Sequence, residues 1–306
     1  MKKIFKAELI FWGIIGLLCI LGSCKHTEDK TLAIAKPETE TKALVKTEAF
    51  KPTKQFNEYW YAGEAEISSY KLEQSRYGET RNGTAVLVYV TEPFLTKAQV
   101  KADYNNPSNI NVLKLNATKK FNTGIYPYSI MQSTFYPIAN NQHAIKTSCS
   151  VQEWCGHAYT QLNNRDQFEV NSHSYFEGEA DKNFNLNKAI LENELWTQLR
   201  IAPKSLPTGE LEIIPALELV RLKHKPLKAY NAIAELKDGN YTLRFPDLKR
   251  TLSINFNTNF PYDITSWEET IDGKTTKATK LKTIKSAYWN KNSNKDEILR
   301  KTLQLE

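Results

Sequence analysis

Cysteine is scarce in this chain, with four in 306 residues. Cys19 sits inside an apolar stretch and Cys24 just beyond it, which leaves Cys149 and Cys155 as the one pair available to a folded domain. Long hydrophobic runs are equally rare. The longest, Leu9 to Leu21, falls short of the about 20 residues needed to span the roughly 30 Å of a bilayer core, which excludes a stable membrane-spanning helix there. A clustered basic stripe is missing too. The net charge of +7 comes from 41 Lys and Arg spread among 34 Asp and Glu, and phosphate tracking needs cations gathered on one face, so nucleic acid is excluded as a partner. The chain has no Gly-x-Ser-x-Gly elbow, His-Glu-x-x-His pair, Walker loop or Gly-x-Gly-x-x-Gly turn, and no two carboxylates stand out as acid and base. None of these signatures leads to a cofactor, and none is expected.

What is present begins with a leader. Lys2, Lys3 and Lys6 precede the apolar run, the layout of a secretory signal. The run closes on Leu21-Gly22-Ser23-Cys24, which resembles the bacterial lipobox. That resemblance implies cleavage before Cys24 and acylation of its thiol, with palmitate-type chains holding the protein to the membrane. Lys25 in place of aspartate points to the outer membrane, at its periplasmic face or the cell surface. Residues 1–23 are thus a lipoprotein signal peptide. Residues 24–55 are rich in Lys, Thr, Glu, Ala and Pro with no sustained apolar period. They cannot bury enough surface to offset ordering entropy and read as a flexible tether.

Residues 56–306 form one globular, β-rich domain. Short runs of Tyr, Phe, Val, Ile and Thr recur between turn signals such as Asn82-Gly83, Asp238-Gly239 and Asp272-Gly273. This spacing predicts an α+β fold that is mostly antiparallel, with a large curved sheet as a half-barrel or sandwich. Two helices interrupt it. "NLNKAILENELWTQLR" sets Leu186, Ile190, Leu195, Trp196 and Leu199 near one face, and "NKDEILRKTLQ" offers Asn294 or Asp296 as a cap before Ile298, Leu299 and Leu303. "ELEIIPALELVRLKHK" reads as strand throughout.

"SCSVQEWCGHAY" (148–159) holds the chemistry-bearing cysteines. The spacing is not the Cys-x-x-Cys of a redox pair. Zinc would need Cys149, Cys155 and His157 with His143 or His173. A Cys155–His157 nucleophile pair would share a strand face but lacks an orienting acid. A disulfide between Cys149 and Cys155 is the preferred reading, with two packed thiols behind it. Asp181, Asn183, Asn185 and Glu192 follow the ligand spacing of a calcium loop, although Leu186 takes the position reserved for glycine. The competing reading has Asn185 or Asn187 capping the helix. Aromatic blocks, "FNEYWY" and "YPYSIMQSTFYP", serve as core or as stacking surfaces for sugars or acyl chains.

Long blocks, among them "EYWYAGEAEISSYKLEQSRYGE", "TKKFNTGIYPYSIMQSTFYP", "SVQEWCGHAYTQLNNR" and "LKRTLSINFNTNFPYDITSWEE", resemble a family of uncharacterised lipoproteins of the Bacteroidota, covering nearly all of residues 56–306. Similar chains are sometimes labelled septum formation inhibitor Maf. Maf enzymes are cytosolic nucleotide pyrophosphatases with an N-terminal phosphate-gripping loop, and the sequence does not support that label. The resemblance implies no activity and no catalytic residues. The function expected is an envelope-anchored binding or carrier module for an apolar ligand or lipid. A structural lipoprotein that binds another envelope protein is the alternative, and a hydrolase of envelope glycan or peptide is the third reading.

Overall fold

In the computed structural model, alternation of side chains becomes a sheet of sixteen strands. The structure describes residues 49–104 and 106–306. The leader and Cys24 lie outside the described residues.

The chain enters through helix α1 (Lys54–Trp60), where Thr53 Oγ1 accepts the amide of Phe56 at 3.1 Å as an N-cap. Strands β1 (Ala65–Arg76) and β2 (Glu79–Leu95) follow, then the short β3 (Val100–Lys101) beside β2. A meander continues through β4 (Ile110–Thr123), β5 (Tyr126–Pro137), β6 (Lys146–Glu153), β7 (Gly156–Asn164), β8 (Phe168–Ser174) and β9 (Lys182–Leu186). The two-residue β10 (Ile190–Leu191) leads into helix α2 (Glu192–Ile201), β11 (Gly209–Ile214) and helix α3 (Leu217–Lys223). A second meander runs through β12 (Tyr230–Lys237), β13 (Asn240–Phe245), β14 (Arg250–Phe256), β15 (Ile264–Ile271) and β16 (Lys274–Ser286), and helix α4 (Ile298–Thr302) ends the chain.

β16 pairs antiparallel with β1, which joins the two meanders into one sheet. Among the described residues only β10 and β11 pair in parallel. The edges are β9 and β10, and residues 187–189 alone separate them in sequence. Four Cα steps reach at most about 15 Å, so the sheet curls into a barrel left open along one seam. The expected fold class holds: mostly antiparallel, open and curved.

The main core fills the concave side, with Trp60, Tyr70, Leu113, Phe168, Leu199 and Phe245 all within 1% of full burial. Two smaller clusters cover the convex side. In one of them Leu303, just after α4, packs with Ala65, Ile67 and Val90. Among the described residues no helix is long and apolar enough to cross a membrane.

Several expectations are corrected. The helix expected across "NLNKAILENELWTQLR" forms only from Glu192, because Leu186 belongs to β9 and Ile190 to β10. "ELEIIPALELVRLKHK" is not strand throughout: Pro215 ends β11, and α3 follows. At the C-terminus Ser293, rather than Asn294 or Asp296, caps the 3-10 turn Asn294–Glu297 that leads into α4, and Asp296 reaches back to its amide at 3.1 Å. The folded unit also starts ahead of residue 56. The Phe50 amide donates to Ala139 O at 2.7 Å, and its ring meets Phe56 edge-on.

Candidate functional site in the barrel interior

Strand alternation aims every second side chain inward, and most of those positions are apolar. A few are not. On β4 the inward series is Leu113, Leu115, Ala117, Lys119, Phe121, and on β14 it is Arg250, Leu252, Ile254, Phe256. On β15 Glu269 stands between Trp267 and Ile271 in the same phase. The concave wall therefore carries charges where the pattern calls for hydrocarbon.

Helices α2 and α3 supply partners for the two cations. Lying inside the barrel, α2 is buried on nearly all sides, its polar residues included. Arg250 donates to Glu192 through both terminal nitrogens, at 2.6 and 2.7 Å, and through Nε to Glu269 at 2.6 Å. Glu192 also accepts the Ala216 amide at 3.2 Å, and Asn193 Oδ1 accepts the Leu217 amide at 3.2 Å. These two bonds tie the start of α3 to the start of α2. Lys119 donates to Glu218 of α3 at 2.8 Å, and Gln132 Nε2 donates to the other oxygen of that carboxylate at 3.0 Å. Burial alone would raise the Glu269 carboxyl, but the Arg250 and Lys119 charges outweigh it and hold it below its usual value.

Between this network and the sheet lies a cavity of about 80 Å³. One water needs about 10–15 Å³ on this measure, so the space admits several waters or part of a small ligand. Its apolar walls include Leu87, Leu115, Trp196, Leu252 and Trp267. The mouth lies where Arg76, Lys223 and Lys274 stand, at the ends of β1 and α3 and the start of β16. Arg76 donates to Leu222 O at 2.7 Å and to the hydroxyls of Tyr77 and Tyr128 at 3.1 and 3.2 Å. Burial and the hydrogen bond it shares with Tyr77 push the Tyr128 phenol up to about 12.

Two further clamps hold α2. Glu194 accepts the amides of Ala144 at 2.6 Å and Leu191 at 3.2 Å, and its Oε1 lies 2.8 Å from His143 Nδ1. At the far end Arg200 makes a bidentate pair with Glu66, both bonds 2.7 Å, and donates to Pro261 O at 3.0 Å. The Trp60 and Tyr89 rings, themselves edge-on to each other, stand beside the guanidinium with centroids at 5.1 and 4.7 Å.

The sites expected from sequence fall elsewhere. Cys149 and Cys155 are free, which corrects the disulfide. Cys149 points into the core from β6, opposite Thr160, while Cys155 sits in the turn to β7. Four residue steps of extended strand from Cys149 to Glu153 put roughly 13 Å between Cys149 and the turn that carries Cys155, far beyond disulfide reach. No hydrogen bond joins Cys155 to His157 among the described residues, and the bond to Glu153 raises the Cys155 thiol, the reverse of nucleophile activation. The zinc set is not assembled either, since His143 binds Glu194 and His173 binds Asp181. The calcium loop fails because Asn183 and Asn185 lie on strand β9, while Glu192 is buried against Arg250. The same strand removes Asn185 as a cap, and Asn187 precedes β10. Among the described residues no group of three or more His, Cys, Asp or Glu could hold a metal.

The free thiols give a direct check. In the native protein maleimide labels Cys155 within minutes, while Cys149, 4% exposed, reacts only after unfolding. Equal protection of both thiols would contradict the placement.

No family model matches the chain. No curated protein matches it. A solved structure that does match is a β-barrel-like protein of a domain of unknown function, DUF1849, from Brucella abortus. It shares 6% identity with a TM-score of 0.45, and the match covers 72% of this chain and 98% of that one. The reading of the site rests on its own geometry.

Proposed function

We propose that the protein is an envelope lipoprotein, anchored to the outer membrane through Cys24, whose barrel interior binds a small ligand. The cavity between α2, α3 and the sheet carries this reading, because it combines apolar walls with a few fixed polar groups, the usual make-up of a ligand site. The lipobox-like sequence supports the anchor.

The cavity narrows the expected ligand. With α2 filling much of the barrel, about 80 Å³ remains, which suits a small molecule or the end of a larger one better than a whole lipid. A hydrolase finds less support. Glu192, Glu218 and Glu269 are each committed to a cation, so none stands free as a general base. A second reading, docking of another envelope protein, is favoured by the exposed side chains Tyr77, Ile125, Trp154 and Tyr175 on turns and strand ends.

Native mass spectrometry tests the proposal. The protein purified without denaturant should carry a non-covalent mass of small-molecule size that disappears on unfolding. Ala117→Phe, which fills the cavity from β4, should abolish that mass while circular dichroism stays β-rich. A clean apo mass accompanied by one co-purifying protein would overturn this reading in favour of the second.

A further inference from the structure

The charges of the cavity are divided between two places. Its lining holds five cations, Arg76, Lys119, Lys223, Arg250 and Lys274, against three carboxylates, Glu192, Glu218 and Glu269. All three carboxylates are used internally, by Arg250 and Lys119. The surplus is therefore positive, and it sits at the mouth.

There Arg76, Lys223 and Lys274 have no carboxylate of a described residue at ion-pair distance, although Lys223 stands near enough to Glu269 to help lower its carboxyl. Arg76 donates only to neutral oxygens, and its Nε is buried with no partner. Lys223 and Lys274 form no ion pair with any described residue. The nearby acid Glu179 is taken by Arg221 and His224. Arg76 and Lys223 are partly buried and Lys274 is exposed, and a partly buried cation without a carboxylate partner is costly unless an anion completes it. Behind them the wall turns apolar, with Trp196, Trp267, Leu87 and Leu252.

We propose that the cavity binds a small organic anion, its carboxylate or phosphate held by Arg76, Lys223 and Lys274 at the mouth and its short apolar part placed against Trp196 and Trp267. This rests on the reading of the cavity as a ligand site and adds the sign of the ligand's charge. Arg76 fixes the anion's position, because Leu222 O and the Tyr77 and Tyr128 hydroxyls pin its guanidinium. The two lysines adapt around it.

Calorimetric titration with hexanoate, hexanamide and hexylammonium separates charge from shape, since the apolar part is constant. Hexanoate should bind at least about tenfold more tightly than the amide, and the ammonium not at all. Lys223→Gln with Lys274→Gln should weaken hexanoate by about tenfold or more and leave the thermal midpoint within a few degrees, both positions lying at the mouth. Preferential binding of hexylammonium or hexanamide would overturn the anion while leaving the cavity as a binding site. Hexanoate binding untouched by the double variant would also overturn it, by placing the anion elsewhere. Failure of all three, with no retained mass in the native protein, would overturn this inference and the binding function together.

Discussion

Arg200→Met lowers the unfolding free energy by about 3–5 kcal/mol, the cost of breaking a buried ion pair from one side. Arg200 and Glu66 are 1% and 0% exposed, so solvent cannot take over the missing charge. Methionine keeps much of the volume beside Trp60 and Tyr89 but leaves the Glu66 carboxylate with Tyr59 as its remaining donor, at 2.5 Å. Adding Glu66→Gln should recover a large part of the loss, because the uncompensated carboxylate, more than the absent attraction, sets the cost. The effect also has a pH signature. Burial pushes the Glu66 carboxyl up, but Arg200 outweighs it and the group sits below its reference value of 4.5. A lowered folded value stabilises the wild type above about pH 4.5, and that contribution is lost as pH falls through the lowered value. Without Arg200 burial dominates and the folded value lies above 4.5, so acid relieves the variant. The gap between the two proteins should narrow as pH falls towards 4, read from urea midpoints across pH. A constant gap would show that Glu66 is not the buried charge responsible.

The same alternation that makes this fold legible hides its site. Asp238-Gly239 and Asp272-Gly273 make the two-residue turns expected of them, with φ of 47 and 77° and of 49 and 74°. Asn82-Gly83 does not, although it carries the same signal. Tyr77-Gly78 turns the chain instead, at φ 53 and 82°, and Gly83 lies within β2. A Cβ at Gly83 would come 2.2 Å from Lys120 O, so glycine is required there by the approach of β4 rather than by a turn. Helix α3 was hidden because "IIPALELV" is apolar apart from Glu218, and period alone cannot separate a buried helix from a buried strand. The site did leave a trace. Lys119 and Arg250 occupy the apolar phase of their strands, a mismatch readable once the strand register is known. Glu192, Asn193, Glu194 and Arg200 left none, since in isolation they look like the solvated face of an amphipathic helix. Enclosure by the barrel turns that face into the interior network, and enclosure is a property of the whole sheet.

Arg250→Met should cost at least as much as Arg200→Met, about 3–5 kcal/mol or more, because it strands two carboxylates instead of one. Glu192 and Arg250 are each 2% exposed on their side chains and Glu269 is 16% exposed. With the guanidinium gone, these acids face each other across a low-dielectric interior, with Lys119 already bonded to Glu218. One of them must take up a proton or draw in water. The damage should also travel in a defined direction. Glu192 accepts the Ala216 amide, and its neighbour Asn193 accepts the Leu217 amide, so disturbance of the start of α2 loosens the start of α3. Hydrogen exchange should then accelerate at Leu219 to Lys223 before it does in the central strands β1 and β2, whose ladder bonds the substitution leaves in place. Because α3 contributes Leu219, Leu222 and Lys223 to the cavity, ligand affinity should fall at denaturant concentrations where the sheet is intact. The double variant Arg250→Met, Glu192→Gln should restore part of the stability and leave Glu269 as the single stranded acid. If exchange instead rises uniformly through helices and sheet, α3 is not a separately opening wall of the site, and the cavity must be treated as part of one cooperative core.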